Sequence, residues 1–507
     1  MTHRMEQVLA GNDDAPALVV GDTSYTRAAL RAAGERAAAG LAARGLVRGD
    51  ALAVWLPNGP AWLQLLFAAA RLGLLVVPIS TRYKAPEVRH LFEVSRARAI
   101  VAPRRFLDIE YAAIAEGLKG EVSSLELVLA LADTDLFMPF DSAALASPRE
   151  AAADDLLCCF STSGTTGFPK LAAHGHASIA RHAAHVAAGL DIRAGDAMLC
   201  IMPLFGVFGF MAALGALGGG ASCVFMPVFD AEEAARMIAR HRITHVIGAD
   251  SMFDTLLAIE GADYSSWRRG VQADFVGLTL SVTRRGDELG IRFSGTYGSS
   301  ECYALMSFHN WDDSAERRAH AGGIAIDPQI EVRVLDPDSG VEMPAGEPGE
   351  LQIRGPNVLD GYLNNPDATA RAMTGDGWFR SGDLGYREGD GFVYLARMGD
   401  SLRLRGFLVN PAEIEHCLLE HPAVGGAQVV GVKRAGEGDV AVAYVIAVAG
   451  AAAPDEALLV AHCRARMAAY KVPRRVIAIA EFPAINGPNG NKIQKRVLRE
   501  MAQQALD

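Results

Sequence analysis

From Ala28 to Ile247 the sequence alternates between helical and strand patterns, and that alternation limits the folds open to it. Ala28 to Gly45 reads as an Ala-rich helix and Ala51 to Leu56 as an apolar strand. Pro60 to Leu74 and Leu75 to Ile79 repeat the pair, as do Val224 to Pro227, Ala231 to His241 and Thr244 to Ile247. Such alternation predicts mostly parallel sheets covered by helices. Beyond about residue 330 the character changes. Glu331 to Leu335 and Gly349 to Arg354 alternate in strand fashion, and Glu388-Gly389-Asp390-Gly391 before Phe392 to Leu395 signals a hairpin. A compact α+β stretch follows, with Asn410 capping a helix opened by Pro411 and with Glu413 at its third position. Strands at Ala427 to Val432 and Val440 to Ala447 and a helix from about Asp455 to Ala469 complete it. At 507 residues two or more domains are expected. The boundary is placed at Met398 to Asp400, giving a large α/β domain, 1–397, with helix-covered sheets plus a small β region, and a small α+β domain, 398–507.

Composition removes several classes of function. Half the residues are hydrophobic and 21% charged, the profile of a globular enzyme. A net charge of −11 argues against a nucleic-acid partner, whose phosphates need a basic stripe. The basic run Lys492 to Arg499 reads as one solvated helical face. Seven cysteines without CxxC spacing suggest neither a disulfide framework nor a zinc site, so reduced thiols and a cytoplasmic location are expected. Asp13 and Asp14 stand where a signal peptide would need an apolar stretch. Leu204 to Val228 is nearly uncharged over a spanning length, yet Gly215, Gly218, Gly219 and Gly220 crowd it. A buried helix followed by a buried strand is therefore expected, not a membrane span.

The run Ser161-Thr162-Ser163-Gly164-Thr165-Thr166-Gly167-Phe168-Pro169-Lys170 carries the most chemistry. Glycines let backbone N–H groups crowd an anion, hydroxyls add donors, and a lysine supplies a point charge. It is a triphosphate grip in composition, although a Ser/Thr/Gly linker has the same residues, and the Walker spacing is absent. Four more segments suggest one nucleotide site. In Tyr297-Gly298-Ser299-Ser300-Glu301 an aromatic face, a hydroxyl and a carboxylate suit adenine, phosphate and magnesium. Asp383 beside Gly382 suits a ribose, or a turn cap. Arg397 suits ribose or phosphate, or a surface ion pair. Asn489 to Lys495 brings Lys492 and Lys495 near the end of the chain.

In this order, these segments resemble the adenylate-forming superfamily of acyl-CoA synthetases, luciferases and peptide-synthetase adenylation domains. The resemblance runs from about Tyr25 to Leu498 and includes Gly377 to Gly385 and Gly406 to Glu415. It implies a small mobile C-terminal domain and activation of a carboxylic acid by ATP and Mg²⁺ to an acyl-adenylate, followed by transfer to the thiol of coenzyme A. It also implies roles. Thr162, Ser163, Gly164, Thr165, Thr166, Gly167 and Lys170 would hold the phosphates, with Thr165 and Glu301 catalytic and Glu301 on the metal. Tyr297 would stack on adenine, Ser300 would serve phosphate, Asp383 and Arg397 the ribose. Lys492 would be the mobile catalytic lysine, with Lys495 as the alternative. Phe205, Gly206, Phe208, Gly277 and Gly295 would border the acid. A carrier-protein phosphopantetheine could replace CoA as acceptor, a non-catalytic nucleotide sensor is the reading from another class, and a homodimer is admissible.

The chain departs from the family at several places. Gly206 stands where many relatives carry a histidine bordering the acyl pocket. The hinge aligns with Gly399, leaving Asp400 next to it, so the pair is assigned jointly. Asn491 replaces the glycine before the lysine. Ala273 to Thr279 matches the glycine-rich adenine loop poorly, with a lone Gly277. Asp250 would meet a polar group of the substrate or, as the preferred reading, cap a helix from Phe253 to Ile259. Phe205, Phe208 and Phe253 line a pocket or belong to the core.

Overall fold

The computed structural model describes residues 4–506 apart from 134, 141–150, 163–168, 276, 399–401, 405–406, 410, 435–437, 452–453, 468, 470 and 488–489. The backbone packs into two compact units, one of residues 1–331 and 353–379 and the other of 332–352 and 380–507.

The first unit holds two sheets of the expected kind. In one, Arg292–Ser299, Arg269–Ala273, His245–Ala249, Ala197–Cys200, Ser222–Phe225 and Pro16–Val20 lie side by side in that order, every pairing parallel. Tyr303–Phe308 and Gly322–Ala325 continue it antiparallel beyond Arg292–Ser299. In the other sheet Leu156–Ser161, Leu75–Pro78, Ala51–Val54, Ala99–Pro103 and Leu127–Leu131 are parallel neighbours. Leu171–Gly175 pairs antiparallel with Leu156–Ser161, and Gly361–Tyr362 pairs with Leu171–Gly175. Consecutive parallel strands are joined through helices, which explains why buried strands such as Leu75–Pro78 read as unbroken apolar runs.

The apolar stretch 204–228 is the helix Val207–Gly219 followed by the strand Ser222–Phe225, as expected. Its glycines let it approach the helix His176–Gly189. A Cβ on Gly215 would come within 2.5 Å of Val186, and one on Gly219 would come within 2.5 Å of Ile192. Gly220, at φ +93°, ends the helix in the left-handed conformation that glycine adopts without strain. Among the described residues no helix is long and apolar enough to cross a membrane.

In the second unit the hairpin of Phe379–Glu388 and Gly391–Arg397 turns at Gly389, φ +55°. Residues 332–352 and 380–397, which the sequence reading places before its boundary, pack with this unit. One reason is local: the Ser381 hydroxyl donates to the Leu351 carbonyl, 2.5 Å, and a Cβ on Gly385 would press on the Leu351 side chain. Farther on, Val424–Arg434 and Gly438–Ala447 form an antiparallel pair carrying Leu402–Leu404 and Arg475–Ala478, with the helices Pro411–Leu419 and Glu456–Arg466. Leu404, Val409, Ile414, Leu418, Val429 and Leu459 build its core. Asn410, named above as a cap, lies outside the described residues. The basic run Lys492 to Arg499 is not one helix. Gly490–Ile493 is a strand paired with Ala484–Gly487, and the helix begins only at Lys495. Backbone pairing with Ile485 takes Lys492 out of the helix that its charge pattern suggested.

Candidate active site

Strands Leu156–Ser161 and Leu171–Gly175 converge on the hydroxyl-rich loop, with Ser161 opposite Leu171. The Thr162 amide donates to the Lys170 carbonyl at 2.8 Å, closing the base of the loop. Ser163, Gly164, Thr165, Thr166 and Gly167 lie outside the described residues. Thr162 is buried, and its hydroxyl has no hydrogen-bond partner among the described residues. The Lys170 ammonium sits 4.2 Å from the Tyr362 ring centroid, a cation–π contact. Tyr362 in turn donates its hydroxyl to Glu301 Oε1 at 2.9 Å.

The turn that carries Glu301 is held from several sides. Ser300 Oγ donates to the Ser161 carbonyl at 3.3 Å, and the Leu359 amide donates to the Glu301 carbonyl at 2.7 Å. His174 Nε2 donates to the Ser300 carbonyl at 2.7 Å, while its ring stacks on Tyr303 with centroids 4.1 Å apart. Immediately after the turn, Tyr303 and Leu305 stand at φ 60° and 63° and are fully buried. Such backbone in non-glycine residues costs about 1–3 kcal/mol each and persists where packing over-determines it. Loop base, turn and the Leu359–Tyr362 segment therefore form one cluster at the end of the strands. Tyr362, His174 and Leu359 are the site members that sequence reasoning missed. Only the aromatic beside Gly361 offered a signal.

Tyr297 lies in the strand Arg292–Ser299 and is 5% exposed. Gly295 lies in the same strand, and its missing side chain is a packing requirement: a Cβ there would collide with the His320 carbonyl oxygen. Phe205 and Phe208 are buried, and Gly206 is the N-cap of the helix Val207–Gly219. Phe253 belongs to the core, edge-on to Phe293 at 4.9 Å. Gly277 has φ +86°, which glycine accepts freely. Asp250 is not a cap. It is the first residue of the helix Asp250–Leu257, behind Ala249 as N-cap, and its carboxylate turns to a different loop.

In the second unit Asp383 and Arg397 stand opposite each other in the hairpin. Arg397 Nε is 3.1 Å from Asp383 Oδ1, and Arg397 Nη1 donates to the Ser381 carbonyl at 3.1 Å. Asp383 is 3% exposed, whereas the Arg397 side chain is half exposed. Lys495 Nζ is 3.2 Å from Glu415 Oε1, and the same oxygen accepts the Val429 amide at 2.8 Å. Lys495 is thus engaged within its own unit. The Lys492 side chain and both Gly399 and Asp400 lie outside the described residues.

Burial lowers His174 and His182 from 6.5 to about 4, so both are neutral at pH 7. The unfolded chain binds protons at these rings near pH 6.5, and the folded chain binds them only near pH 4. Their contribution to stability is complete above pH 6.5 and is lost as pH falls toward 4, on the order of 3 kcal/mol per ring. Chemical denaturation across this window checks it. His174→Gln is expected to reduce the pH slope of stability by about one proton, and an unchanged slope would refute the assignment.

Comparisons with known proteins show the family of the chain. Residues 5–363 match the AMP-binding enzyme family and residues 413–486 the AMP-binding enzyme C-terminal domain. A methyl-dioxo-octahydroindenyl-propanoyl:CoA ligase of Mycobacterium tuberculosis is 33% identical, the alignment covering 96% of either chain. The indoleacetate–CoA ligase of Aromatoleum aromaticum is 30% identical over 91% of this chain and 90% of its own. The ATP-bound crystal structure of MatB from Rhodopseudomonas palustris superposes with a TM-score of 0.89 at 26% identity, covering 100% of both chains. With a family match over most of its length and a second one in its C-terminal part, the chain belongs to the AMP-binding enzymes, the adenylate-forming group that includes the acyl-CoA synthetases.

Proposed function

We propose that this protein is an ATP-dependent acid–CoA ligase. It activates a carboxylic acid as the acyl-adenylate and then transfers the acyl group to the thiol of coenzyme A. The observation that carries the reading is the convergence of the loop base, Lys170, Ser300, Glu301 and Tyr362 in one cluster, in a chain aligned nearly end to end with CoA ligases.

In the first half-reaction the substrate carboxylate attacks the α-phosphorus of ATP and pyrophosphate leaves. Charge gathers on the phosphoryl oxygens, so catalysis consists mainly of positioning and electrostatic stabilisation. Thr162 to Gly167 and Lys170 hold the β- and γ-phosphates. Support comes from the buried Thr162 hydroxyl, which is left for a ligand or for its own loop. Ser300 serves phosphate, Tyr297 adenine, and Asp383 with Arg397 the ribose. Glu301 fits Mg²⁺, which takes one or two protein carboxylates and completes its shell with water and phosphate. When bound, the ion neutralises phosphate charge. Lys492 approaches the α-phosphate, and Lys495 is less suited because Glu415 holds it. In the second half-reaction the thiol attacks the mixed anhydride and AMP leaves. The domain 398–507 rotates about Gly399–Asp400 between the two. Seven free, buried cysteines suit a reducing cytoplasm.

The test is carboxylate-dependent pyrophosphate release with ATP and Mg²⁺ over fatty, aryl and amino acids, with and without CoA. Ring-bearing acids head the panel, because both ligases named above act on them. Release that needs one acid class, with AMP and acyl-CoA formed on adding CoA, is the expected result. Release without acyl-CoA would move the acceptor to a carrier protein. Silence on every acid would overturn the ligase.

A further inference from the structure

The segment that leaves the hydroxyl-rich loop grips one aromatic ring. Strand Leu171–Gly175 starts directly after Lys170 and runs into the helix His176–Gly189. His174 comes from the strand, while Ser178 and His182, four residues apart, share one face of the helix. All three meet Tyr303, which follows Glu301 by two residues. The Tyr303 ring touches both imidazoles, with centroids 4.1 Å from His174 and 4.8 Å from His182. Ser178 donates its hydroxyl to the Gly175 carbonyl at 2.9 Å and so accepts that of Tyr303 at 2.8 Å.

The same imidazoles fasten the backbone on either side of Tyr303. His174 Nε2 donates to the Ser300 carbonyl at 2.7 Å, and His182 Nε2 donates to the Ala304 carbonyl at 2.9 Å. Both histidines and Tyr303 are buried. Tyr303 also stands at φ 60°, a conformation that needs support from its surroundings. A Cβ on Gly298 would collide with the Tyr303 carbonyl oxygen, so the two arms of the turn are in contact. A shift of the Tyr303 backbone is therefore carried to Gly298 on one side and to Ser300 and Glu301 on the other. Groups that act by position lose about 10²-fold in rate for a displacement near 1 Å.

We propose that Tyr303 is a positioning residue that latches the Ser300–Glu301 turn to the exit of the hydroxyl-rich loop, through Ser178, His174 and His182, and so serves the adenylation half-reaction alone. This rests on the acid–CoA ligase reading above. Tyr303→Phe keeps the ring and removes the hydroxyl. It is expected to lower kcat/KM for ATP in pyrophosphate release about 10-fold and to raise the Mg²⁺ concentration giving half-maximal rate. Tyr303→Leu removes the ring as well, and about a 10²-fold loss is expected. Thioester formation from preformed acyl-adenylate and CoA needs neither pyrophosphate nor its ion and should be unchanged in both variants. Ser178→Ala deletes the same hydrogen bond, so the double variant with Tyr303→Phe should lose no more than Tyr303→Phe alone. Equal losses in both half-reactions, ATP parameters unchanged in Tyr303→Phe, or additive losses in the double variant would overturn the proposal. Amide hydrogen exchange without any ligand reads the latch independently of activity. The Glu301 and Cys302 amides, which donate to Ser299, should exchange faster in Tyr303→Phe, and unchanged protection refutes the latch. Wild-type silence on all acids would instead count against the ligase reading, with the exchange experiment still deciding the latch.

Discussion

Lys492→Ala is expected to lower acid-dependent pyrophosphate release by about 10²–10³-fold, the usual cost of removing a group aimed at charge that develops in the transition state. Thioester formation from preformed acyl-adenylate and CoA should persist, because by then the α-phosphate charge is already relieved. The asymmetry is the informative part. A lysine that merely stabilised the hairpin of Ala484–Gly487 and Gly490–Ile493 would depress both half-reactions together. Lys495→Ala supplies the contrast: it breaks the pair with Glu415 and is expected to lower stability before it touches the adenylation step. If Lys495→Ala instead abolishes adenylation while Lys492→Ala leaves it intact, the two assignments are reversed. Single-turnover measurements of each half-reaction decide the matter.

Glu301→Gln should be nearly as damaging to adenylation and should act through the metal. The substitution keeps an oxygen for the Tyr362 hydroxyl but removes the charge that Mg²⁺ needs. A loss of about 3 kcal/mol of charge stabilisation corresponds to on the order of 10²-fold in kcat/KM for ATP. The Mg²⁺ concentration giving half-maximal rate should rise as well. Tyr362→Phe leaves the carboxylate charged but frees it to reorient, and about a 10-fold loss is expected. A Mg²⁺ titration unchanged in Glu301→Gln would remove Glu301 from the metal, whatever happened to the rate.

The parts of this protein legible from sequence are those that depend on near neighbours. Apolar runs of strand length between helical patterns predicted the parallel sheets, because side-chain periodicity is a property of a few consecutive residues. Glycines gathered in 215–220 pointed to a buried helix followed by a buried strand rather than a membrane span, and Val207–Gly219 and Ser222–Phe225 are that pair. The hydroxyl-rich loop and the Tyr297–Glu301 turn stood out in the sequence because particular residue types lie close together, and the structure joins the base of that loop to the turn through Ser300 and Ser161. The basic run at 492–499 was misread because charge alone does not reveal the backbone pairing with Ile485 that makes Lys492 part of a strand.

By itself, then, the sequence determined the class of fold and the family, through patterns each encoded within a dozen or so consecutive residues. Only the tertiary structure decided which groups serve one another across the chain. Tyr362 reaches Glu301 over 61 residues, His174 reaches Ser300 over 126, and Lys495 reaches Glu415 over 80. Asp250 looked like a helix cap because carboxylates at helix starts usually are caps. It clamps a loop 25 to 28 residues away because strand order brings that loop beside it. A donor or acceptor carries no record of its distant partner, and the pairing exists only once the sheets have closed.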